Sequence, residues 1–120
     1  GDLSFFIDMN ALWMSHVQSN LRIILFNNEG GEIFHTLPGM EKNSQSRPFI
    51  TAEHQTSAKG WAEERGFQYI KVTNADEWTD TIPIFTSPEE HPKPMLVEVV
   101  TDKDTDTKLL REYYKSLKNK

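Results

Sequence analysis

Two short polar stretches near the start of the chain contain residue types that could hold a divalent cation together with a diphosphate group. The first is residues 1–4 (Gly-Asp-Leu-Ser) and the second is residues 27–31 (Asn-Asn-Glu-Gly-Gly). Mg²⁺ takes oxygen ligands and tends to share them with bound phosphates. Asp2 would supply a charged oxygen, Asn28 a neutral one, and Gly30 a backbone carbonyl, because glycine tolerates unusual backbone angles. We therefore predict a metal-diphosphate site here.

The elements between these stretches should bring them together. Residues 21–26 form an apolar run that predicts a strand buried on both faces of a parallel sheet. Residues 8–18 have apolar positions at helical spacing, which predicts an amphipathic helix with Asp8 as its N-cap. A helix of about twelve residues and a strand of about six to seven cover similar distances, roughly 18 Å and 20 to 23 Å. If Gly1 and Asp2 follow an earlier strand, Asp2 and Asn28 emerge side by side at the carboxyl edge, where open α/β sheets bind ligands.

A ligand-free interpretation of the same residues stays open. A helix cap and a glycine-rich turn use the same residue types, and an isolated Gly-Asp or Asn-Asn pair is more often structural than functional. His35 is a similar case: it could face a substrate carboxylate or simply be solvated. Four acidic and histidine residues at 53, 54, 63 and 64 do not have metalloprotease spacing. We interpret Glu53, His54, Glu63 and Glu64 as solvated charges.

Composition limits the class of protein. The chain has 120 residues, which is the size of one domain, so we assign residues 1–120 to a single domain. There is no cysteine, which excludes disulfides and thiolate chemistry. The net charge of -5 and the pI near 5.3 argue against a nucleic-acid surface. No apolar run approaches the length of a membrane span, so we expect no membrane partner and a cytoplasmic protein.

The rest of the chain alternates predicted helices and strands. The polar residues 40–53 predict a long surface loop, and a helix from residue 56 should end at Gly66. Strands are predicted at 67–72 and 95–100. A short helix containing Trp78 should begin at Asn74 or Asp76, and four prolines at 83, 88, 92 and 94 predict a largely irregular connection after it.

The last segment predicts a helix. Its apolar stripe consists of Leu109, Leu110, Tyr113, Tyr114 and Leu117. The aspartates at 102, 104 and 106 precede this helix, and they lack the glycine and glutamate of an EF-hand loop. We predict an α/β fold with a mostly parallel sheet and helices on both faces, in three layers. Because the strand that should deliver Asp2 is absent, we expect the fold to be truncated at its N-terminus.

The spacing of the two polar stretches resembles a known signature. Gly-Asp, then twenty-five residues between Asp2 and Asn28, then Asn-Asn resembles the motif of thiamine-diphosphate-dependent enzymes. Most of those enzymes continue as Gly-Asp-Gly, whereas this chain has Leu3 and Ser4. The sequence is similar instead to the C-terminal domain of the 2-succinyl-5-enolpyruvyl-6-hydroxy-3-cyclohexene-1-carboxylate synthase family. The similar segments are Asp2-Leu3-Ser4, Asp8-Met9-Asn10-Ala11-Leu12, Asn27-Asn28, Gly30-Gly31, Ile33-Phe34 and Leu37-Pro38. These motifs cover about the first forty residues.

The resemblance implies a thiamine-diphosphate-binding fold at the C-terminal end of a larger enzyme, with most of the enzyme upstream. The implied cofactors are thiamine diphosphate and Mg²⁺ or Mn²⁺. The implied metal ligands are Asp2, Asn28 and Gly30. The implied cofactor-binding residues are Asp2, Leu3, Ser4, Asn28, Gly30, Gly31, Ile33, Phe34 and Leu37, the last three as an apolar wall. Without the motif beside it, the 33–37 segment would be interpreted as a short amphipathic helix packing on the core.

The implied activity is a transferase of menaquinone biosynthesis. It decarboxylates 2-oxoglutarate and adds the resulting succinyl carbanion equivalent to isochorismate. In this family the activating glutamate and most substrate-binding arginines lie in other domains and in a second subunit. We therefore assign no catalytic residue to this chain, expect a homodimer or homotetramer, and expect the isolated chain to be inactive. Two alternatives stay open: another thiamine-diphosphate-dependent decarboxylase or carboligase, and a non-catalytic α/β binding module.

Overall fold

The chain is built on a parallel sheet of three strands, described by a computed structural model for residues 1–35, 45 and 47–118. The strands are β1 (Arg22–Asn27), β2 (Gln68–Val72) and β3 (Met95–Val100), in the order β1-β3-β2. Arg22 and Gln68 both pair with Met95, so the strands run in step. Their carboxyl ends consequently lie at one edge of the sheet. The three predicted strands are confirmed.

Helices cover both faces of this sheet. In the described part of the chain they are α1 (Asp2–Asp8), α2 (Glu32–His35), α3 (Arg47–Ile50), α4 (Lys59–Glu64), α5 (Ala75–Phe85) and α6 (Lys103–Lys118), and a 3₁₀ turn (Met9–Leu12) continues α1. The α/β class is thereby confirmed. None of these helices has both the length and the apolar character that crossing a membrane requires.

The core of the sheet lies between β3 and the helices. On one face, Leu25 and Leu96 pack with Ala58, Ala62 and Phe67. Alternation along β3 places Met95 and Val97 on the opposite face, and both are fully buried there. The sheet is thus covered on both sides of its central strand, as an α/β sandwich requires.

The first helix differs from its prediction. A helix over residues 8–18 capped by Asp8 is wrong, because α1 begins at Asp2 and its 3₁₀ continuation ends at Leu12. The reason is packing. Phe5 and Phe6 lie against the core, and the ring of Phe5 meets Trp61 edge-on at 5.3 Å. Burial of these rings anchors the helix several residues earlier than a cap residue alone suggests.

The prediction that β1 is buried on both faces is also wrong for this chain. Leu25 and Asn27 are buried, whereas Ile24 is 40% exposed and Phe26 is 57% exposed. The two exposed side chains lie on the face that carries α6. Phe26 lines an open groove of about 510 Å³ with apolar side chains of that helix. The described residues therefore cover only one side of this strand.

The later helices confirm some predictions and correct others. Gly66 ends α4 with φ of +81°, as expected for a glycine after a helix. Asn74 caps α5 by accepting a hydrogen bond from the backbone N–H of Glu77. The helix then runs through Pro83 to Phe85, so the irregular connection begins later than predicted.

Two further segments complete the comparison with prediction. Within the predicted loop at 40–53, residues 47–50 form the short helix α3 and Thr51 is fully buried, while 40–44 and 46 lie outside the described residues.

The final helix is confirmed as α6. Its apolar stripe is exposed, with Leu109 at 59%, so it does not pack on this chain's core. Asp102 accepts hydrogen bonds from the N–H and hydroxyl of Thr105, and no metal cluster of three or more ionisable ligands occurs among the described residues.

Candidate functional site

The turn after β1 is held by a buried asparagine. Asn27 ends the strand, and its Nδ2 donates to the carbonyl of Thr56 at 2.8 Å and to Oε1 of Glu98 at 2.7 Å. Its Oδ1 accepts the backbone N–H of Glu29 at 3.2 Å. Glu29 has a φ of +64°, in the left-handed region that non-glycine residues rarely adopt. The side chain of Asn27 therefore ties this unusual backbone to the centre of the sheet.

Asp2 lies directly against this turn. Its Oδ2 accepts the backbone N–H of Gly30 at 2.8 Å, although the two residues are far apart in sequence. The same oxygen contacts Nε2 of His54 at 3.1 Å, and Oδ1 accepts the N–H of Leu3 at 2.8 Å. Asp2 is only 2% exposed. The structure thus brings together the first polar stretch and the glycine turn that the sequence paired.

The glycines of the turn are packed against the segment that contains His54. The N–H of Gly31 donates to the carbonyl of Thr51 at 2.7 Å, and the N–H of His54 donates to the carbonyl of Glu29 at 3.2 Å. A Cβ atom at Gly30 would lie 2.9 Å from the Thr51 carbonyl oxygen, and one at Gly31 would lie 2.7 Å from the ring of Phe34. Gly30, which also has a φ of +151°, therefore has no room for a side chain, whereas a side chain at Gly31 would require the Phe34 ring to move.

Asn28 is oriented by a different neighbour. Its Nδ2 donates to Oε2 of Glu32 at 2.6 Å, and Oε1 of Glu32 accepts a long hydrogen bond from Thr107 at 3.5 Å. This contact turns the amide nitrogen toward α2 and leaves the amide oxygen on the other side of the group. Among the described residues, no hydrogen bond joins the side chains of Asp2 and Asn28.

The remaining predicted residues have simpler surroundings. Leu3 is half-buried and Ser4 is exposed on α1. Ile33 is 71% exposed and Phe34 is 39% exposed, so Ile33 does not pack on the core as the amphipathic-helix alternative expected. Leu37 and the side chain of His35 lie outside the described residues. The apolar wall role of these residues stays a prediction.

A second buried carboxylate was missed in the sequence. Glu98 is fully buried on β3 and accepts hydrogen bonds from Tyr69 Oη at 2.6 Å, Ser57 Oγ at 2.7 Å and Asn27 Nδ2 at 2.7 Å. The N–H of Ala58 also donates to it at 3.1 Å. The available signal was a lone glutamate inside an otherwise apolar predicted strand, at residues 95–100.

The hydrogen bonds around Glu98 set its charge state. Burial is the largest single influence and by itself raises the pKa, but the donors from Tyr69, Asn27, Ser57 and the Ala58 N–H together lower the pKa of Glu98 below its usual value. Burial, helped by the hydrogen bond to Glu98, raises the pKa of Tyr69 to about 12. Glu98 is therefore a carboxylate and Tyr69 a neutral phenol at neutral pH.

The interpretation of His54 as a solvated charge is wrong. Its side chain is only 17% exposed and contacts Asp2. Glu53, beside it, makes an ion pair with Lys103 at 3.3 Å. Glu63 and Glu64 lie on α4 and are exposed, as expected. No sequence spacing links residues 2 and 54, so only the packing of 51–54 against the glycine turn brings this pair together.

The oxygen atoms at this edge are of the kind that bind a magnesium ion together with a diphosphate. Mg²⁺ is commonly held by one or two carboxylates, with phosphate oxygens and water completing the octahedron. Oδ1 of Asp2 accepts one hydrogen bond, from Leu3, and the amide oxygen of Asn28 accepts none among the described residues. The carbonyl oxygen of Gly30 accepts the N–H of Glu32 at 3.1 Å and, with two lone pairs, can bind one further partner. These residues fit a cation shared with a cofactor and do not form a closed protein-only metal site.

Comparison with known proteins places the whole chain within longer sequences. It is 68% identical over 120 residues to the 2-succinyl-5-enolpyruvyl-6-hydroxy-3-cyclohexene-1-carboxylate synthase of Phocaeicola vulgatus, covering 100% of this chain and 22% of that protein. It is 56% identical over 119 residues to the synthase of the same name from Bacteroides fragilis, and 37% identical over 119 residues to that of Christiangramia forsetii, with 99% of this chain covered each time. These matches cover 21% and 20% of the relatives. No family model matches the chain.

The chain thus spans about a fifth of the length of the curated relatives it matches. The resemblance predicted from the short motifs extends over the entire chain, including residues 41–120, where the sequence offered no diagnostic motif. The predicted resemblance is confirmed.

Proposed function

We propose, from the premise that this chain is a segment of the 2-succinyl-5-enolpyruvyl-6-hydroxy-3-cyclohexene-1-carboxylate synthase family, that it is the C-terminal, cofactor-holding part of such a transferase. The whole protein would use thiamine diphosphate with Mg²⁺ or Mn²⁺. It would decarboxylate 2-oxoglutarate and transfer the succinyl unit to isochorismate in menaquinone biosynthesis. The premise rests on 68% identity over the full 120 residues to one such synthase.

One structural observation carries the assignment of the site. Oδ2 of the buried Asp2 accepts the N–H of Gly30 at 2.8 Å, across a separation of 28 residues. A buried carboxylate is costly unless it has a compensating partner. Holding one at the carboxyl edge of a parallel sheet, beside a glycine turn, is the arrangement expected where an α/β sheet binds a ligand.

Each residue of the site then has a specific task. Asp2, Asn28 and the backbone carbonyl of Gly30 would hold the cation, which neutralises the diphosphate. Leu3, Ser4 and Gly31 would line the diphosphate side. The exposed Ile33 and Phe34 would form an apolar wall together with Leu37, and an apolar wall lowers the local dielectric and strengthens electrostatic interactions. When bound, thiamine diphosphate supplies the electron sink for decarboxylation and carbon-carbon bond formation.

The rest of the catalytic machinery would come from outside this chain. The proposal assigns the activation of the cofactor and most substrate contacts to N-terminal domains and to a second subunit of a homodimer or homotetramer. We therefore expect purified residues 1–120 to show no synthase activity. A turnover measurement on that fragment with 2-oxoglutarate and isochorismate checks this, and detectable product would contradict it.

The site is tested by calorimetry on the whole protein with thiamine diphosphate and Mg²⁺. We expect Asp2→Ala and Asn28→Ala each to weaken cofactor binding by about tenfold or more, because a diphosphate charge loses part of its neutralisation. Asp8→Ala and Asn10→Ala are matched controls, since both residues are exposed and lie near the same helix. Unchanged affinity in both site variants would favour a non-catalytic binding module.

The substrates require a separate measurement. If the whole protein binds the cofactor but turns over a different 2-oxo acid, or a different acceptor, the reaction belongs to another decarboxylase or carboligase. Product analysis with 2-oxoglutarate and isochorismate, compared with pyruvate as donor, distinguishes the two.

A further inference from the structure

The imidazole of His54 is oriented by two hydrogen bonds, one to a backbone N–H and one to a side chain. Its Nδ1 accepts the backbone N–H of Thr56 at 3.1 Å. In a neutral imidazole one ring nitrogen accepts and the other donates. Nε2 therefore carries the hydrogen, and it donates to Oδ2 of Asp2 at 3.1 Å. The tautomer follows from the network and not from the ring alone.

The ring is also fixed by packing. It meets the ring of Phe6 edge-on, with centroids 5.3 Å apart and an interplanar angle of 84°. The backbone N–H of His54 donates to the carbonyl of Glu29, at the left-handed residue of the glycine turn. His54 thus contacts both α1, which carries Asp2, and the turn against which Asp2 lies.

We propose that His54 is the positioning residue for Asp2. Its N–H and that of Gly30 both bind Oδ2, so one carboxylate oxygen is occupied by protein donors. Within the described parts of the chain, the other oxygen, Oδ1, accepts a hydrogen bond from Leu3 alone, so it has acceptor capacity left for a cation. Hydrogen bonds to a ligating side chain commonly fix its orientation and raise metal affinity. This inference rests on the proposed function, because it concerns the same site.

A pair of substitutions separates the hydrogen bond from the packing. His54→Gln places an amide N–H near the position of Nε2, so it can still donate to Asp2. His54→Asn places its amide near Nδ1, where it can interact with the Thr56 N–H but cannot reach Asp2. Both variants lose the ring that packs on Phe6, so a general packing defect should affect them equally.

The experiment measures Mn²⁺ binding to the whole protein at saturating thiamine diphosphate, with electron paramagnetic resonance as the detection method. We expect His54→Asn to weaken Mn²⁺ binding by about 10- to 100-fold, and His54→Gln to restore most of that loss. Amide exchange at Gly30 in the cofactor-free protein gives a second readout: its protection should fall in His54→Asn and recover in His54→Gln. Activity is not needed for either readout.

The outcomes separate the inference from the proposed function. Wild-type affinity in His54→Asn, or equal losses in both variants, would overturn the positioning role while leaving the cofactor site intact. If the wild-type protein binds no Mn²⁺ with thiamine diphosphate, the proposed function and this inference both fail.

Discussion

Asp2 and Glu98 are both buried carboxylates of the same fold, but the protein surrounds them differently. Each oxygen of Glu98 accepts at least two hydrogen bonds. The donors are Asn27, Ser57, Tyr69 and the Ala58 N–H. Asp2 receives two donors on one oxygen and one on the other. A carboxylate has about four acceptor positions. Among the residues that the structure describes, protein donors fill these positions at Glu98 and leave at least one open at Asp2.

This difference is the one expected between a carboxylate with a structural role and the ligand-binding role that we propose for Asp2. The donors to Glu98 come from β1, β2 and the start of α4, so the carboxylate joins the elements around the central strand. The donors to Asp2 come from a glycine turn and a histidine at the sheet edge. We infer that Glu98 maintains the fold and Asp2 maintains the site.

Glu98→Ala should destabilise the centre of the sheet strongly. It leaves the buried Ala58 N–H and one of the two N–H groups of the Asn27 amide without an acceptor, while the other stays on the Thr56 carbonyl. Each such unpaired group costs about 1–3 kcal/mol. We expect a loss of about 3 kcal/mol, which is an approximately 100-fold fall in hydrogen-exchange protection of β3. The control is Glu98→Gln, which keeps an acceptor and should lose less. Unaltered β3 protection in Glu98→Ala would refute the structural role.

Asp2→Asn should show the opposite pattern. The asparagine oxygen can still accept from Gly30 and His54, so the turn keeps its hydrogen bonds. Its NH₂ group would replace the oxygen that we assign to the cation. We expect a rise of about tenfold or more in the dissociation constant of thiamine diphosphate with Mg²⁺, measured by calorimetry on the whole protein, with little change in β3 protection. Loss of β3 protection in this variant would remove the distinction between the two carboxylates.

The pH dependence of stability sharpens the Glu98 side of the comparison. The folded-state pKa of Glu98 is lowered, so its stabilising contribution is complete above its ordinary pKa of 4.5 and is lost as pH falls through the folded value. The pKa of Tyr69 is raised from 10.0 to about 12, so its contribution is complete below pH 10.0 and is lost as pH rises toward 12. We expect protection of β2 and β3 to be flat between these limits.

Tyr69→Phe checks the alkaline limit. The variant removes the Tyr69 phenol, so an ultraviolet difference titration against the wild-type protein should show an ionisation near pH 12. The alkaline fall in β2 protection should weaken in the same variant. An ionisation near pH 10 in the difference spectrum would mean that Tyr69 is not held by Glu98.

The sheet was predictable because each strand is indicated by the residues of its own short segment. Residues 21–26, 67–72 and 95–100 are all β-prone runs. Leu25 and Leu96 are then buried where the sheet packs against Ala58, Ala62 and Phe67. The start of α1 was not predictable in the same way. The residue type of Asp8 suggested a cap, while the helix is positioned by Phe5 and Phe6, which pack on a core that includes the sequence-distant Ala62 and Phe67. Tertiary burial therefore outweighed the local cap signal.

The site was predictable only in part, because some of its contacts follow from local sequence and others depend on tertiary packing. The pairing of Asp2 with the glycine turn followed from spacing and sheet topology, and the structure has that contact. His54 and Glu98 act through contacts across 52 and 71 residues, with Asp2 and Asn27 respectively. No periodicity encodes such contacts. The exposed stripe on α6 shows the limit from the other direction, because helical spacing predicts an apolar face without indicating what covers it.

The smallest expected effect comes from a polar network that is exposed. Glu77 accepts hydrogen bonds from the N–H and hydroxyl of Thr73, and these bonds lower its pKa, but its surroundings are solvent. Asn74, between them, caps α5 by accepting the Glu77 N–H at 2.9 Å. Asn74→Ala should cost about 1 kcal/mol, an approximately fivefold loss of exchange protection confined to the first turns of α5, because water replaces the lost partner. Asn74→Asp retains a capping oxygen and should lose little. A spread of the effect to β3, or weaker cofactor binding, would show that hydrogen-bond number and not burial decides how far a polar network acts.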